Sequence, residues 1–169
     1  METMEAISTR RSVREFTDEP VTSAELDRLI EAARWAPSGL NNQPWRFMKV
    51  VDRALVVEVS NMTKYRGVVA GAAALIAVFL DHEDMYERTK DLLAMGAAIE
   101  NLLLAAHDIG LGACWLGEIL ARHEDVEAAL EVSDDLELVA LVALGRPEPR
   151  ERSGVRHPVE KIVVTPPER

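Results

Sequence analysis

Between Leu92 and Ala106 the residues Leu92, Leu93, Met95, Gly96, Ile99, Leu102, Leu103 and Ala106 recur at helical spacing and leave almost no polar face. A helix apolar on so many sides does not suit the surface of a small protein. It is expected either at the centre of the fold or against a second subunit, with Gly110 closing it. Ala74 to Leu80 adds a second constraint, because a continuous apolar run of that length suits a strand buried on both faces. Asp81 to Asp84 ends it. The longest uncharged apolar stretch, Gly67 to Leu80, has 14 residues, short of the roughly 20 that a membrane-spanning helix needs. It is expected to be buried in protein, and no membrane partner is expected.

Other elements can be placed around these two. Thr22 to Glu25 fits a capping box, and Leu26, Leu29, Ile30 and Ala33 follow at helical spacing, so a helix is predicted from Ser23 to about Trp35, stopped by Pro37. Arg46 to Val51 is β-like, Ala54 to Ser60 reads as a short helix, and Gly112 to Leu116 as a short strand. Glu118 to Leu130 reads as a helix, and Glu137 to Leu144 as a second buried strand ended by Gly145, Arg146 and Pro147. Ile162 to Val164, after a Pro-containing arm, reads as a last exposed strand with no place on its own subunit's sheet. A neighbour's edge would accept it, which points to a dimer. Helices and strands do not alternate strictly, so the fold class is α+β and not a doubly wound sheet. The 169 residues hold no repeat or flexible linker and predict a single domain, 1–169.

Composition narrows the function. Apolar residues make up 48% and charged residues 28%, the balance of a folded soluble chain. The net charge of −10 repels a polyphosphate backbone, so no nucleic acid partner is expected. The lone Cys114 makes no internal disulfide and no charged-then-apolar leader is visible, so a cytoplasmic location is expected. Cys114 sits in an apolar stretch that suits a buried, inert thiol. His82, His107, His123 and His157 are scattered, and no metal is expected. Nucleophile-elbow, dinucleotide-fingerprint and P-loop motifs are absent.

The net charge hides an asymmetry. Residues 15–145 carry 10 basic and 23 acidic side chains, whereas residues 146–169 carry 6 basic and 4 acidic. Residues 1–14 hold Arg10, Arg11 and Arg14 against Glu2 and Glu5. Arginines at both ends either solvate the tails or converge on one compact anion, for which their forked donors are suited. Arg10-Arg11-Ser12-Val13-Arg14 offers three guanidinium groups and a hydroxyl within five residues, a phosphate-binding set or a solvated basic turn. Ala36-Pro37-Ser38-Gly39-Leu40-Asn41-Asn42-Gln43-Pro44-Trp45 collects amides and a hydroxyl without net charge. Such a loop reads a flat heterocycle or satisfies its own backbone.

Together, and in order, these segments resemble the nitroreductase family of flavin mononucleotide (FMN) enzymes. Arg10 to Arg14 with Phe16 is similar to the family's opening Arg-Arg-Ser-x-Arg-x-Phe. Ala36 to Trp45 is similar to its Ala-Pro-Ser-x-x-Asn-x-Gln-Pro-Trp loop. Gly110-Leu111-Gly112 through Trp115-Leu116-Gly117, Gly145-Arg146-Pro147 and Arg156-His157-Pro158 resemble later segments, and Asn61 to Lys64 is a weaker match to an Asn-x-x-Lys pair.

The resemblance implies a mostly antiparallel central sheet flanked by helices in an intertwined homodimer, with two flavins at the interface. It places Arg10, Ser12 and Arg156 at the flavin phosphate, with Arg11 beside them, and Arg14 near the N1 and O2 edge of the ring. It brings Ser38 and Asn41 from the partner with Gln43 close by, counts Pro37 of the same loop among the cofactor-binding residues, and brings backbone N–H groups of Leu116 and Gly117 to N5 and Asn61 and Lys64 to the ring. It implies NADH or NADPH as reductant and ping-pong transfer to a small-molecule acceptor such as a nitroaromatic or quinone, with no catalytic side chain. Reductive dehalogenation, ring fragmentation, or flavin binding and sensing with little turnover are the alternatives on the same fold. Gly154 departs from a Lys common in the family two residues before the closing Arg. Asp81 to Lys90 is the one lid-like insert.

Overall fold

A computed structural model describes residues 1–167. At its centre lies strand β2 (Ala74–Asp81), every residue of which is buried. It pairs antiparallel with β1 (Trp45–Val50) on one side and β4 (Leu136–Gly145) on the other. β4 in turn pairs antiparallel with β3 (Gly112–Leu116), so the strand order is β1-β2-β4-β3. The apolar run needs no polar face because both sides of the sheet are covered. Ile76, Val78 and Leu80 enter one apolar layer, and Leu75, Ala77 and Phe79 the other. Val78 pairs with Ala140 and Phe79 with Leu138, leaving Val139 as a bulge residue.

The first layer is closed by α2 (Ser23–Ala33) and α5 (Arg88–Asp108). α2 begins at the expected capping box: the Thr22 hydroxyl accepts from Glu25 N at 3.2 Å, while Thr22 N donates to the Glu25 carboxylate at 2.8 Å. It ends at Ala33, with Arg34 as cap and Trp35 already exposed in the turn. α5 buries Met95, Ala98, Ile99, Leu102, Leu103 and Ala106 against the sheet yet leaves Leu93 exposed.

The second layer is closed by α3 (Arg53–Ser60), α4 (Arg66–Gly71) and α6 (His123–Ala129). Together with α1 (Thr3–Thr9) near the N-terminus, these complete an α+β fold, an antiparallel sheet between helices.

Several elements differ from the sequence reading. Gly67 to Leu80 is two elements, α4 and β2, separated at Ala72 and Ala73. Glu118 to Leu130 is a 3-10 turn (Glu118–Arg122) followed by α6, a break that lets Ile119, Val126 and Leu130 all reach one apolar layer. α1 and α4, of seven and six residues, are too short to show a periodic pattern. Ile162 to Val164 forms no strand: it follows a 3-10 turn (Val159–Lys161), exposed, with no edge of its own sheet beside it.

The segment 10–17 is tied to the sheet. Val13 N donates to Ala113 O at 2.9 Å, and Thr17 N to Arg146 O at 2.9 Å. Two glycines permit this approach, since a Cβ on Gly112 would lie 2.7 Å from Val13 and one on Gly145 2.8 Å from the Phe16 ring. Gly145→Ala is therefore expected to destabilise the fold by about 1–3 kcal/mol through overpacking. A denaturant midpoint equal to that of the parent chain would contradict the contact.

Candidate functional site

The tied N-terminal segment carries its arginines to one groove. Arg10, Arg11, Ser12 and Arg14 line a cavity of about 510 Å³ together with Arg150, Arg152, Gly154 and Arg156. The two ends of the chain thus meet, as their charge suggested. Arg150 is neutralised by Glu15, whose oxygens accept its Nη1 at 2.6 and 2.7 Å. That contact holds the Glu15 carboxyl below its ordinary range. Arg152 donates to Arg150 O and Glu148 O, each at 3.1 Å, and no carboxylate pairs with Arg11, Arg14, Arg152 or Arg156 among the described residues.

Two donors in this wall lack an acceptor. Nε of Arg10 and Nε of Arg11 are buried without a hydrogen-bond partner, although Glu100 lies 3.5 Å from the Arg10 Nε as an ion pair. Leaving a charged donor buried and unsatisfied is costly. Arg11 is held by Nη1 donating to Ser8 O and Arg10 O, both at 2.8 Å. A Cβ on Gly154 would fall 2.9 Å from Arg11 Nε; Arg11 fills the space that the missing side chain leaves.

A second group gathers at the far end of β3. The Glu118 carboxylate, next to Leu116 and Gly117, accepts from the Thr63 hydroxyl at 2.6 Å and from Lys64 N at 3.0 Å. Lys64 Nζ stands 3.8 Å from its other oxygen. The Thr63 and Lys64 donors hold the Glu118 carboxyl below its ordinary range. Asn61, Lys64, Leu116 and Gly117 are thereby brought into one neighbourhood. Cys114 is buried in β3, and burial pushes its thiol up.

The third group stands apart. Pro37 and Ser38 line a shallow cavity of about 270 Å³ with Lys90, Leu93, Ala94 and Ala97, in the N-terminal half of α5. The arginine side of the molecule meets α5 at Glu100, through the Arg10 ion pair, and at Leu103 and His107, from about 4.5 Å beyond Ala97 onward at 1.5 Å per residue. Asn41 and Gln43 are exposed on the same loop as Ser38. The lid-like segment is pinned at its start, with Arg46 bonded to Asp81 at 2.6 Å and to Asp84 at 2.5 Å.

The nitroreductase family profile matches residues 7–64 and 48–146. The chain belongs to this family. A family structure from Desulfovibrio desulfuricans, assigned as a nitroreductase in complex with FMN, is 41% identical, covers 99% of both chains and superposes with a TM-score of 0.92. An Archaeoglobus fulgidus relative assigned as an NADH dehydrogenase or NAD(P)H nitroreductase is 32% identical over 87% of this chain and 86% of its own. The oxygen-insensitive NADPH nitroreductase of Salmonella typhimurium is 31% identical over 95% of this chain and 72% of its own.

For this nitroreductase-family chain the sequence missed the residues that hold others in place. Glu118 and Thr63 tie two segments, Asn42 is bonded to the buried Asp91 at 3.0 Å, and Gly112 and Gly145 admit the N-terminal segment. Gly112 and Gly145 stand in motif segments, but the motifs do not say what they admit; Glu118 carries no local signal, and Asp91 shows only as a charge within an apolar helical pattern. Among the described residues no helix is long and apolar enough to cross a membrane.

Proposed function

We propose that the chain is an FMN-dependent NAD(P)H oxidoreductase that works as a homodimer and passes electrons to nitroaromatic, quinone or related acceptors by a ping-pong cycle. One observation carries the reading: the two buried guanidinium Nε donors without acceptors, in a groove shared by Ser12, Arg14 and Arg156. A phosphate monoester suits that donor set in charge and in hydrogen-bonding capacity. Relatives named for FMN, NADPH and nitroreduction support it.

Arg10, Arg11, Ser12 and Arg156 hold the phosphate. Arg14 stands toward the ring edge, with Asn61, Lys64 and the backbone N–H groups of Leu116 and Gly117 along the ring. Bound FMN would supply the hydride-transfer chemistry. The chain's own contribution is position and charge: the Arg14 guanidinium would favour the negative charge that reduction places on the N1 and O2 edge.

The partner's Pro37, Ser38, Asn41 and Gln43 complete the site. Separation of these residues from the arginine groove within one chain supports a shared site, as do exposed Leu93, Trp35 and Ile162 to Val164. Sedimentation of a flavin-loaded monomer at micromolar concentration would remove the shared site.

Purified protein is expected to take up one FMN per subunit. Arg10→Ala is expected to weaken FMN by about 1.5–3 kcal/mol, the worth of a charge-assisted hydrogen bond, while riboflavin affinity barely changes. Equal affinity of the parent chain for FMN and riboflavin would sink the phosphate assignment. Arg14→Gln is expected to lower the flavin midpoint potential and slow reduction by nicotinamide, with a smaller effect on oxidised FMN affinity than Arg10→Ala. A parent-like potential in a saturated Arg14→Gln protein that binds FMN as poorly as Arg10→Ala would make Arg14 a phosphate ligand instead.

A further inference from the structure

The loop 38–43 holds three non-glycine residues in the left-handed region, Leu40 at φ 54°, Asn41 at φ 59° and Gln43 at φ 51°. Residues of that kind persist where their surroundings over-determine them. Between them Asn42 is right-handed, with φ −68° and ψ −21°, and it is the residue that is tied down. Its Nδ2 donates to Asp84 O at 2.9 Å and to Asp91 Oδ1 at 3.0 Å.

Asp91 is fully buried, and among the described residues no Lys, Arg or His pairs with it. Its other oxygen accepts from Tyr86 N at 2.7 Å and Glu87 N at 2.9 Å, at the start of α5. A buried carboxylate met by one amide and two backbone N–H groups is an expensive way to fill a core position. It specifies geometry instead: α5, anchored in the sheet layer, holds both the 84–87 turn and Asn42 through a single side chain.

We propose that the Asn42–Asp91 pair is a positioning clamp that keeps the strained loop 38–43 in the conformation in which Ser38, Asn41 and Gln43 receive a flavin ring; this rests on the flavin reading above. Within the clamped loop Gln43 N donates to Ser38 Oγ at 3.0 Å and Gln43 Nε2 to Asn41 O at 3.2 Å. The polar groups are thus fixed before any ligand arrives, and ligand binding does not have to order them. Asn42 and Asp91 are positioning residues and touch no reacting atom.

The test is Asn42→Ala in the full chain, with Asn42→Ser as a second variant that keeps a short polar group but cannot reach Asp91. Amide exchange is read residue by residue without flavin, and dissociation constants are measured for riboflavin and for FMN. Faster exchange confined to 38–43 and 84–87, with β2 unchanged, is expected; a general loss of stability would instead speed exchange in β2 as well and would overturn the proposal. Both ligands should weaken together by about 10-fold or more, the scale of a lost hydrogen bond to a charged group, leaving the FMN-to-riboflavin ratio within about twofold of the parent. Arg10→Ala is the control with the opposite signature, losing FMN only. Parent-like exchange in the loop, or loss of FMN without loss of riboflavin, would overturn the clamp. Failure of the parent chain to bind either flavin, with the exchange result as expected, would refute the flavin reading and with it the clamp's ligand, while the loop constraint itself stood.

Discussion

The hydrogen bond from Val13 N to Ala113 O, with its companion from Thr17 N to Arg146 O, fixes the N-terminal segment to the far edge of the sheet, and the arginine groove depends on it. This attachment adds to the contacts of the first helix with α5, where Thr9 meets His107 at 2.8 Å and Arg10 pairs with Glu100. Arg10, Arg11 and Arg14 face Arg152 and Arg156 from the other end of the chain. The attachment requires absent side chains as much as present ones, because Gly112 and Gly145 leave only enough room for Val13 and Phe16. An acidic protein thereby gathers five arginines and, with Arg150, Glu15 and Glu151, lines one groove with an excess of positive charge.

Much of this was legible in the sequence for identifiable reasons. β2 and α5 announce themselves through long apolar patterns, and α2 through a capping box whose two hydrogen bonds are local. The convergence of the chain ends could be suspected from charge, but not located, since nothing local to Arg156 encodes its neighbours. Contacts between residues distant in sequence were not legible: Thr63 with Glu118, Asn42 with Asp91, and Gly154 with Arg11. Ile162 to Val164 shows the converse limit. It forms no strand within the single chain, and the expectation that it pairs with a neighbour's edge belongs to the proposed dimer.

The predicted flavin contacts fall into three groups that one chain does not join. The arginine groove and the β3 end are linked along β3, from Ala113 to Leu116. The Ser38 loop is held elsewhere, at the N-terminal half of α5. One side of α5 packs on the sheet, and on another side Leu93 is exposed, a face that the proposed second subunit would cover. The feature of the sequence that most constrains the fold thus also carries the face on which the proposed sharing of the site between chains would rest.

Anaerobic titration of the FMN-loaded protein with NADH and with NADPH addresses the central point most directly, because it reads electron transfer independently of the acceptor. Loss of the oxidised-flavin absorbance at about one equivalent of either nucleotide, and its return on adding a quinone or nitroaromatic, is the expected result. A protein that binds FMN through the arginine groove yet stays yellow with both nucleotides would contradict the oxidoreductase reading and leave a flavin-binding module.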